Sequence, residues 1–178
     1  MPEIVPFAEA GYLFADFKHT AFRLETRRGY ASDRAGARYQ AFLSGQLPQY
    51  EPDVAWNVNV RAAVAAGRRF ERVRIVDDPP TDGQRFLLAT GLGNVEAGED
   101  IRNIWRADAV RLGLPEFDFW LFDSKILARF HFDADDRTLG VELITDPAEV
   151  LAACQARDAA WHFAAPTRDF AARVPSGV

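Results

Sequence analysis

Residues 116–143, EFDFWLFDSKILARFHFDADDRTLGVEL, constrain the fold of this chain more than any other stretch. They predict three consecutive β-strands at 118–122, 125–132 and 138–144, because these segments are rich in aromatic and β-branched residues. The acidic link at 133–137 has the composition of a turn. Strands joined by such short links pair antiparallel, so the stretch predicts an antiparallel meander.

The second of these strands has two different faces. Successive side chains of a strand point to opposite sides of a sheet. The apolar residues Ile126, Ala128, Phe130 and Phe132 alternate with the mixed set Lys125, Leu127, Arg129 and His131. The pattern therefore predicts one apolar and one mixed face.

The remainder of the chain alternates between helical and strand patterns. We predict helices at 7–18, 33–43, 54–66, 81–90, 107–112 and 147–165, and further strands at 20–26, 69–76 and 99–105. Asp33, Asp53 and Asp146 are expected to cap three of the helices. A strand, a crossover helix and a second strand form a parallel pair, to which the meander adds antiparallel strands. The predicted fold is therefore α/β (α+β), a mixed sheet flanked by helices.

The chain length is that of one main domain. Two prolines within residues 46–52 favour a linker there. We therefore expect a helix-strand-helix extension at 1–48 packed on a mixed α/β domain at 49–166, followed by a tail at 167–178.

Composition limits the classes of function. The 178 residues carry 21 Lys and Arg against 26 Asp and Glu, a net charge of −5, and this disfavours direct nucleic-acid binding through a basic surface. The single cysteine, Cys154, excludes an intrachain disulfide. No apolar run is long enough to span a bilayer, and the N-terminus lacks the pattern of a signal peptide. We expect a cytoplasmic protein with no membrane partner.

Arginines and glutamates on the predicted strands are the first candidates for a ligand site. An arginine cluster would bind phosphate or carboxylate groups. The candidates are Arg23, Arg72, Arg74, Arg85 and Arg102, with Glu25 and Glu99 as the nearest acids. Structural ion pairs between these arginines and Glu25, Glu71 and Glu99 explain the same residues, and the sequence favours that reading.

Two further candidates lie in the meander. Asp118 precedes the aromatic run that contains Trp120, and this indole would either stack on a flat ligand or belong to the core. His131 and the acids of the 133–137 link lack the glycine and distal glutamate of a calcium loop, so we predict an acidic turn, no metal and no cofactor. No nucleophile signature accompanies the three histidines, and no catalytic residue is assigned.

Several stretches resemble an uncharacterised bacterial domain of unknown function that is often encoded beside small helix-turn-helix regulators. They are AFRLE at 21–25, RVR at 72–74, AGEDIR at 97–102, DFWLFD at 118–123 and DAAW at 158–161. The resemblance covers nearly the whole chain and implies a genomic neighbourhood but no activity.

A more distant likeness begins at residue 66, where the order of elements resembles one half of a phospholipase D-like domain. The catalytic form of that domain requires His-x-Lys-x-x-x-x-Asp, with histidine as the nucleophile. If Asp123 takes the place of the motif's aspartate, Glu116 and Asp118 stand at the histidine and lysine positions. The resemblance therefore implies a degenerate half-domain without the phospholipase reaction.

These patterns favour a non-enzymatic regulatory or sensor module. It would bind a partner protein, namely a helix-turn-helix transcription regulator, or a small anionic ligand. The sequence leaves open whether the chain forms a homodimer. The alternative is an enzyme acting on a phosphate- or carboxylate-bearing substrate. Arg72, Arg74 and Arg85 would then hold the substrate, and Glu25 or Glu99 would serve as general base.

Overall fold

The computed structural model describes residues 3–175. The eight strands are β1 (Ile4–Val5), β2 (Thr20–Glu25), β3 (Arg69–Val76), β4 (Asp100–Trp105), β5 (Phe119–Phe122), β6 (Ile126–Phe132), β7 (Thr138–Ile144) and β8 (Ala165–Pro166). The helices are a 3₁₀ turn (Phe7–Ala10), α1 (Leu13–Asp16), α2 (Ala31–Arg34), α3 (Ala37–Leu43), α4 (Ala55–Ala65), α5 (Asp82–Ala97), α6 (Arg106–Arg111), α7 (Pro147–Phe163) and α8 (Thr167–Ala171). Within the described residues no helix combines the length and apolar character needed to cross a membrane.

All strands belong to one mixed sheet in the order β1-β7-β6-β5-β2-β3-β4-β8. Strands β2, β3 and β4 are parallel, and β5, β6 and β7 form the antiparallel meander. The predicted mixed α/β class is confirmed. Strand β2 lies in the middle of the sheet, paired with β3 on one side and β5 on the other.

One face of the sheet, here called the closed face, is covered by α6 and α7. Alternate residues of the central strands, among them Phe22, Leu24, Val73 and Phe119, form its core with α7 side chains such as Val150 and Ala160. Helix α7 begins as predicted, because Asp146 accepts hydrogen bonds from the backbone N–H groups of Ala148 and Glu149. Burial of this apolar surface is the main stabilising contribution on this face.

The opposite face, here called the pocket face, is covered by the N-terminal turns, α4 and α5. Its apolar part contains Ala21, Phe70, Trp120 and Phe130. In β2 and β3 the same face continues with charged residues, because Arg23, Glu25, Arg72 and Arg74 occupy the alternate positions.

Helix α5 is longer than the predicted 81–90. It continues through Gly91 and Gly93 to Ala97 and ends at Gly98, whose φ of 111° is in the left-handed region. Thr81 and Gln84 form a capping box at its start. A Cβ at Gly91 would lie 2.6 Å from Arg74 Nη1, so the glycine is required by packing between helix and sheet.

Two of the expected caps were wrong. Asp33 lies inside α2, and the predicted 33–43 helix is interrupted at Gly36, whose ψ of 144° is extended. Asp53 lies in a turn before α4, and Val54 precedes the helix without a side-chain capping bond.

Both ends of the chain differ in detail from the predicted elements. The predicted helix at 7–18 is a 3₁₀ turn and one helical turn, separated near Gly11. The segment expected to be a tail begins with α8, where Phe170 is buried with its ring centroid 4.4 Å from that of Trp105. The last part of that predicted tail, residues 176–178, lies outside the described residues.

Candidate functional site

A pocket of about 1110 Å³ opens on the pocket face between the N-terminal turns, α2, α3, α4 and α5. Its floor is formed by β2, β3, β5 and β6, which contribute charged and aromatic side chains. The floor and nearest walls include Phe14, Arg23, Glu25, Trp56, Arg72, Arg74, Trp120 and Phe130. The volume is slightly above the range of about 300–1,000 Å³ that is usual for small-molecule sites.

Glu25 is the centre of the charged floor. Its Oε1 accepts a hydrogen bond from Arg72 at 2.5 Å, and its Oε2 accepts one from Arg74 at 2.5 Å. Arg72 also donates to Glu99 at 2.7 Å, and the other oxygen of Glu99 accepts from the indole of Trp56 at 3.2 Å. These side chains form a chain of alternating charge across β2, β3 and the start of β4.

Asp118 anchors the other end of this network. Its Oδ2 accepts from Arg23 at 2.7 Å and from the hydroxyl of Tyr30 at 2.6 Å. Its Oδ1 accepts from the backbone N–H of Thr26 at 2.7 Å and from the Thr26 hydroxyl at 2.8 Å. Asp118 therefore fixes the end of β2 and the start of α2 relative to the meander.

The charges of this network stabilise one another. Burial by itself would raise the pKa of Glu25, but Arg72, Arg74 and Arg23 outweigh it and hold the pKa well below the usual 4.5. Burial would lower the pKa of Arg72, but Glu25 and Glu99 raise it above its usual value. Burial and the nearby acids raise the pKa of Tyr30, so the phenol stays protonated. Glu25 is therefore an ionised and fully engaged carboxylate.

The network has more donors than acceptors. Each oxygen of Glu25, Glu99 and Asp118 accepts at least one hydrogen bond. Nη1 of Arg23 is buried and has no hydrogen-bond partner within residues 3–175. Arg74 uses Nε and Nη1, the latter toward the carbonyl of Leu87 at 2.6 Å. Its Nη2 has no partner in the described part of the chain.

Two amides border the same region. Asn59 on α4 and Asn94 on α5 line the pocket and are half-buried. Neither side chain forms a hydrogen bond with another described residue. Asn59 follows Trp56 by three positions and Asn94 follows Thr90 by four, so each amide shares a helix face with another pocket residue. The polar groups open to a ligand therefore lie between α4 and α5.

Aromatic rings form the remaining walls. Phe14 meets Trp120 edge-to-face at 5.1 Å and Trp56 at 5.6 Å. Phe130 covers Arg23, whose guanidinium carbon lies 4.0 Å from the ring centroid, and Phe7 packs against Phe130 at 4.9 Å. Trp120 is both a wall of the pocket and a core residue, only 4% exposed.

Seven of the nine sequence-predicted site residues meet in this network: Arg23, Glu25, Arg72, Arg74, Glu99, Asp118 and Trp120. Arg85 lies apart on α5, where it donates to the carbonyl of Pro175 at 3.3 Å. Arg102 lies on the closed face, with its guanidinium 3.8 Å from the ring centroid of Trp161. Arg85 and Arg102 are therefore outside the site.

The acidic link at 133–137 is a turn, as expected. Asp133 accepts hydrogen bonds from the backbone N–H groups of Asp135 and Arg137. His131 faces Glu142 at 3.3 Å. Residues 3–175 contain no group of three or more potential metal ligands.

Sequence reasoning missed the walls contributed by the N-terminal turns and by α2 to α5. Tyr30, Asp33, Asn59 and Asn94 carry no motif that would have marked them. The alternation of Phe130 and Phe132 did indicate an apolar strand face, but nothing in the sequence showed that a pocket lies above it.

The sequence matches a domain of unknown function, DUF6879, over residues 8–172. The chain belongs to this family. The match includes every strand of the sheet except β1, all residues of the charged network and every lining residue of the pocket except Phe7. No curated protein matches the sequence.

Proposed function

We propose that this DUF6879 domain is a non-enzymatic binding module that receives a small anionic ligand in the pocket. One observation carries the proposal: Nη1 of Arg23 is buried in the floor without a hydrogen-bond partner among the described residues, while the carboxylate oxygens of Glu25, Glu99 and Asp118 are already engaged. Buried donors are normally paired, so a ligand that enters here is selected for acceptor oxygens.

The state of the two candidate bases favours binding over catalysis. A general base must accept a proton near the working pH, whereas Glu25 has a pKa far below that range. Glu99 is buried and accepts from Arg72 and Trp56, so it has no oxygen directed at a substrate. Arg85, expected to clamp a substrate, lies outside the pocket.

The likeness to a degenerate phospholipase D half-domain is part of the proposal. Two of the three acids at the motif positions have structural contacts that fit a non-catalytic role. Asp123 accepts from the backbone N–H groups of Lys18, His19 and Thr20, and Asp118 ties β5 to β2. Neither carboxylate faces the pocket.

The sequence resemblance supports a regulatory setting. We propose that a helix-turn-helix regulator protein of bacterial origin is the partner that responds to the bound ligand. Helices α2 and α3 offer a physical connection, because they line the pocket and α2 contacts the β6–β7 turn through Arg34 and Asp136, 3.1 Å apart.

Thermal shift and calorimetry test the binding function. Inorganic phosphate, small carboxylates and nucleotides would be titrated into wild type, Asn94→Leu and the surface control Asp108→Ala. We expect at least one anion to raise the melting temperature of wild type and the control by several degrees, and of Asn94→Leu by much less. Equal shifts in all three proteins, or no shift in any, would contradict a site in this pocket.

A further inference from the structure

The pocket is divided into a polar end and an aromatic end. Arg74, Asn59 and Asn94 supply unpaired polar atoms on one side, while the rings of Phe14, Trp56, Trp120 and Phe130 line much of the remaining cavity. A ligand that fills both ends has an acidic head and an apolar body.

The charge balance of the floor limits the charge of that head. Three arginines and three carboxylates already neutralise one another, namely Arg23, Arg72 and Arg74 with Glu25, Glu99 and Asp118, and Asp33 adds a fourth carboxyl group to the lining. Each negative charge brought into this partly buried region lacks a full counter-charge, and the cost of burial rises steeply with charge. Among anionic groups, a single carboxylate satisfies the free donors at the lowest such cost.

The arrangement of the aromatic rings favours a flat apolar group in the ligand. The rings of Phe14 and Trp120 are perpendicular, and Trp56 lies at 82° to Phe14, so ring edges and faces both border the space. Flat aromatic molecules match such walls through stacked and edge-to-face contacts that flexible chains do not make.

Gly91 sets the position of the head group. A Cβ at this residue would lie 2.6 Å from Arg74 Nη1, so a larger residue would shift the guanidinium from its place on α5, where it donates to Leu87. That contact fixes the direction of Nη2, the nitrogen left for a ligand.

We infer that the ligand class is the aromatic monocarboxylic acids, with the carboxylate on Arg74, Asn59 and Asn94 and the ring against Phe14, Trp56 and Trp120. This inference rests on the proposed function, since it names the anion for the same pocket.

The test measures affinities of the full chain by calorimetry for five probes. They are 2-naphthoate, its neutral analogue 2-naphthamide, the dianion 2-naphthyl phosphate, the non-aromatic acid hexanoate, and inorganic phosphate. We expect 2-naphthoate to bind at least about tenfold more tightly than each of the others, because a charged hydrogen bond contributes that much.

The outcomes separate the two proposals. If 2-naphthamide binds as tightly as 2-naphthoate, the ligand needs no acidic head. If 2-naphthyl phosphate binds more tightly than 2-naphthoate, the head is not limited to a single charge. If hexanoate binds as tightly as 2-naphthoate, the ligand needs no aromatic body. In the last two cases the anion pocket would stand. Absence of binding by all five probes would overturn the anion-binding function as well.

Two matched variants locate the head group. Gly91→Ala displaces the Arg74 guanidinium without removing its charge, whereas Gly93→Ala, two residues along the same helix, meets only Tyr50 at 3.4 Å. We expect Gly91→Ala to lower the affinity for 2-naphthoate by about tenfold and to leave the affinity for 2-naphthamide unchanged. We expect Gly93→Ala to change neither affinity. Circular dichroism would confirm that both proteins are folded. Unchanged naphthoate affinity in Gly91→Ala would overturn the role of Arg74.

Discussion

The two faces of the central strands β2 and β3 differ in how they are stabilised. On the closed face, Leu24 and Val73 are fully buried among apolar side chains of α6 and α7. On the pocket face, Glu25 and Arg74 are almost as deeply buried but are held by ion pairs. Neighbouring residues of one strand therefore belong to two different environments.

This difference raises the question of why the pocket face of β2 and β3 carries charged side chains. Apolar residues of similar volume often stabilise a core as well as, or better than, buried ion pairs do. The closed face shows that this sheet packs well without charges. The pocket face holds six of them beside a cavity, and the proposed binding function gives these charges a role other than stability.

The largest effect is expected when one charge of the network is removed. Glu25→Gln leaves Arg74 buried without its counter-charge and Arg72 paired with Glu99 alone, which costs about 3–5 kcal/mol of the free energy of unfolding. Leu24→Ala on the closed face should cost about 2–5 kcal/mol through the cavity it leaves. Urea denaturation of both variants makes the comparison. A loss below about 1 kcal/mol in Glu25→Gln would show that its ion pairs are not coupled.

Removal of a whole pair should be milder than removal of one partner. Glu99→Leu leaves Arg72 partly unpaired, whereas Arg72→Met combined with Glu99→Leu removes both charges. We expect the double variant to recover about 2 kcal/mol of the loss in the single variant. A complete double-mutant cycle by urea denaturation measures this coupling, and additive losses would contradict a coupled pair.

Acid should weaken the pocket face selectively. Because the folded state lowers the pKa of Glu25, the stability it contributes is fully present above the unfolded value near 4.5 and is lost as the pH falls below it. Below pH 4.5 the loss attributable to Glu25 is at most about 1.4 kcal/mol per pH unit. Denaturation of wild type and Glu25→Gln between pH 7 and 3 should give a shallower acid slope for the variant. Parallel slopes would refute the linkage.

The smallest effect is expected for an exposed ion pair. Arg111 and Asp108 on α6 lie 3.2 Å apart, with side chains 60% and 47% exposed. Asp108→Ala should change the free energy of unfolding by less than about 0.5 kcal/mol, because water screens the pair. A larger loss of stability would show that burial does not explain why ion pairs in different parts of the molecule contribute differently to the free energy of unfolding.

The sequence by itself determined the local elements with strong patterns. The aromatic meander, the strand Arg69–Val76 and the start of α7 were predicted from alternation and capping residues. It also identified Arg23, Glu25, Arg72 and Arg74, because charged residues at every second position of a strand share one face.

Only the tertiary structure decided the rest. Strand β2 was assigned to an extension, yet it lies at the centre of the sheet, since strand order depends on long-range pairing that local patterns do not encode. Gly91 and Gly93 obscured helix α5 in the sequence. A side chain at Gly91 would meet the Arg74 guanidinium, and no local pattern encodes that contact. The pocket exists only where β2, β3 and the meander meet the N-terminal turns and helices α2 to α5, and no local pattern specifies such a meeting.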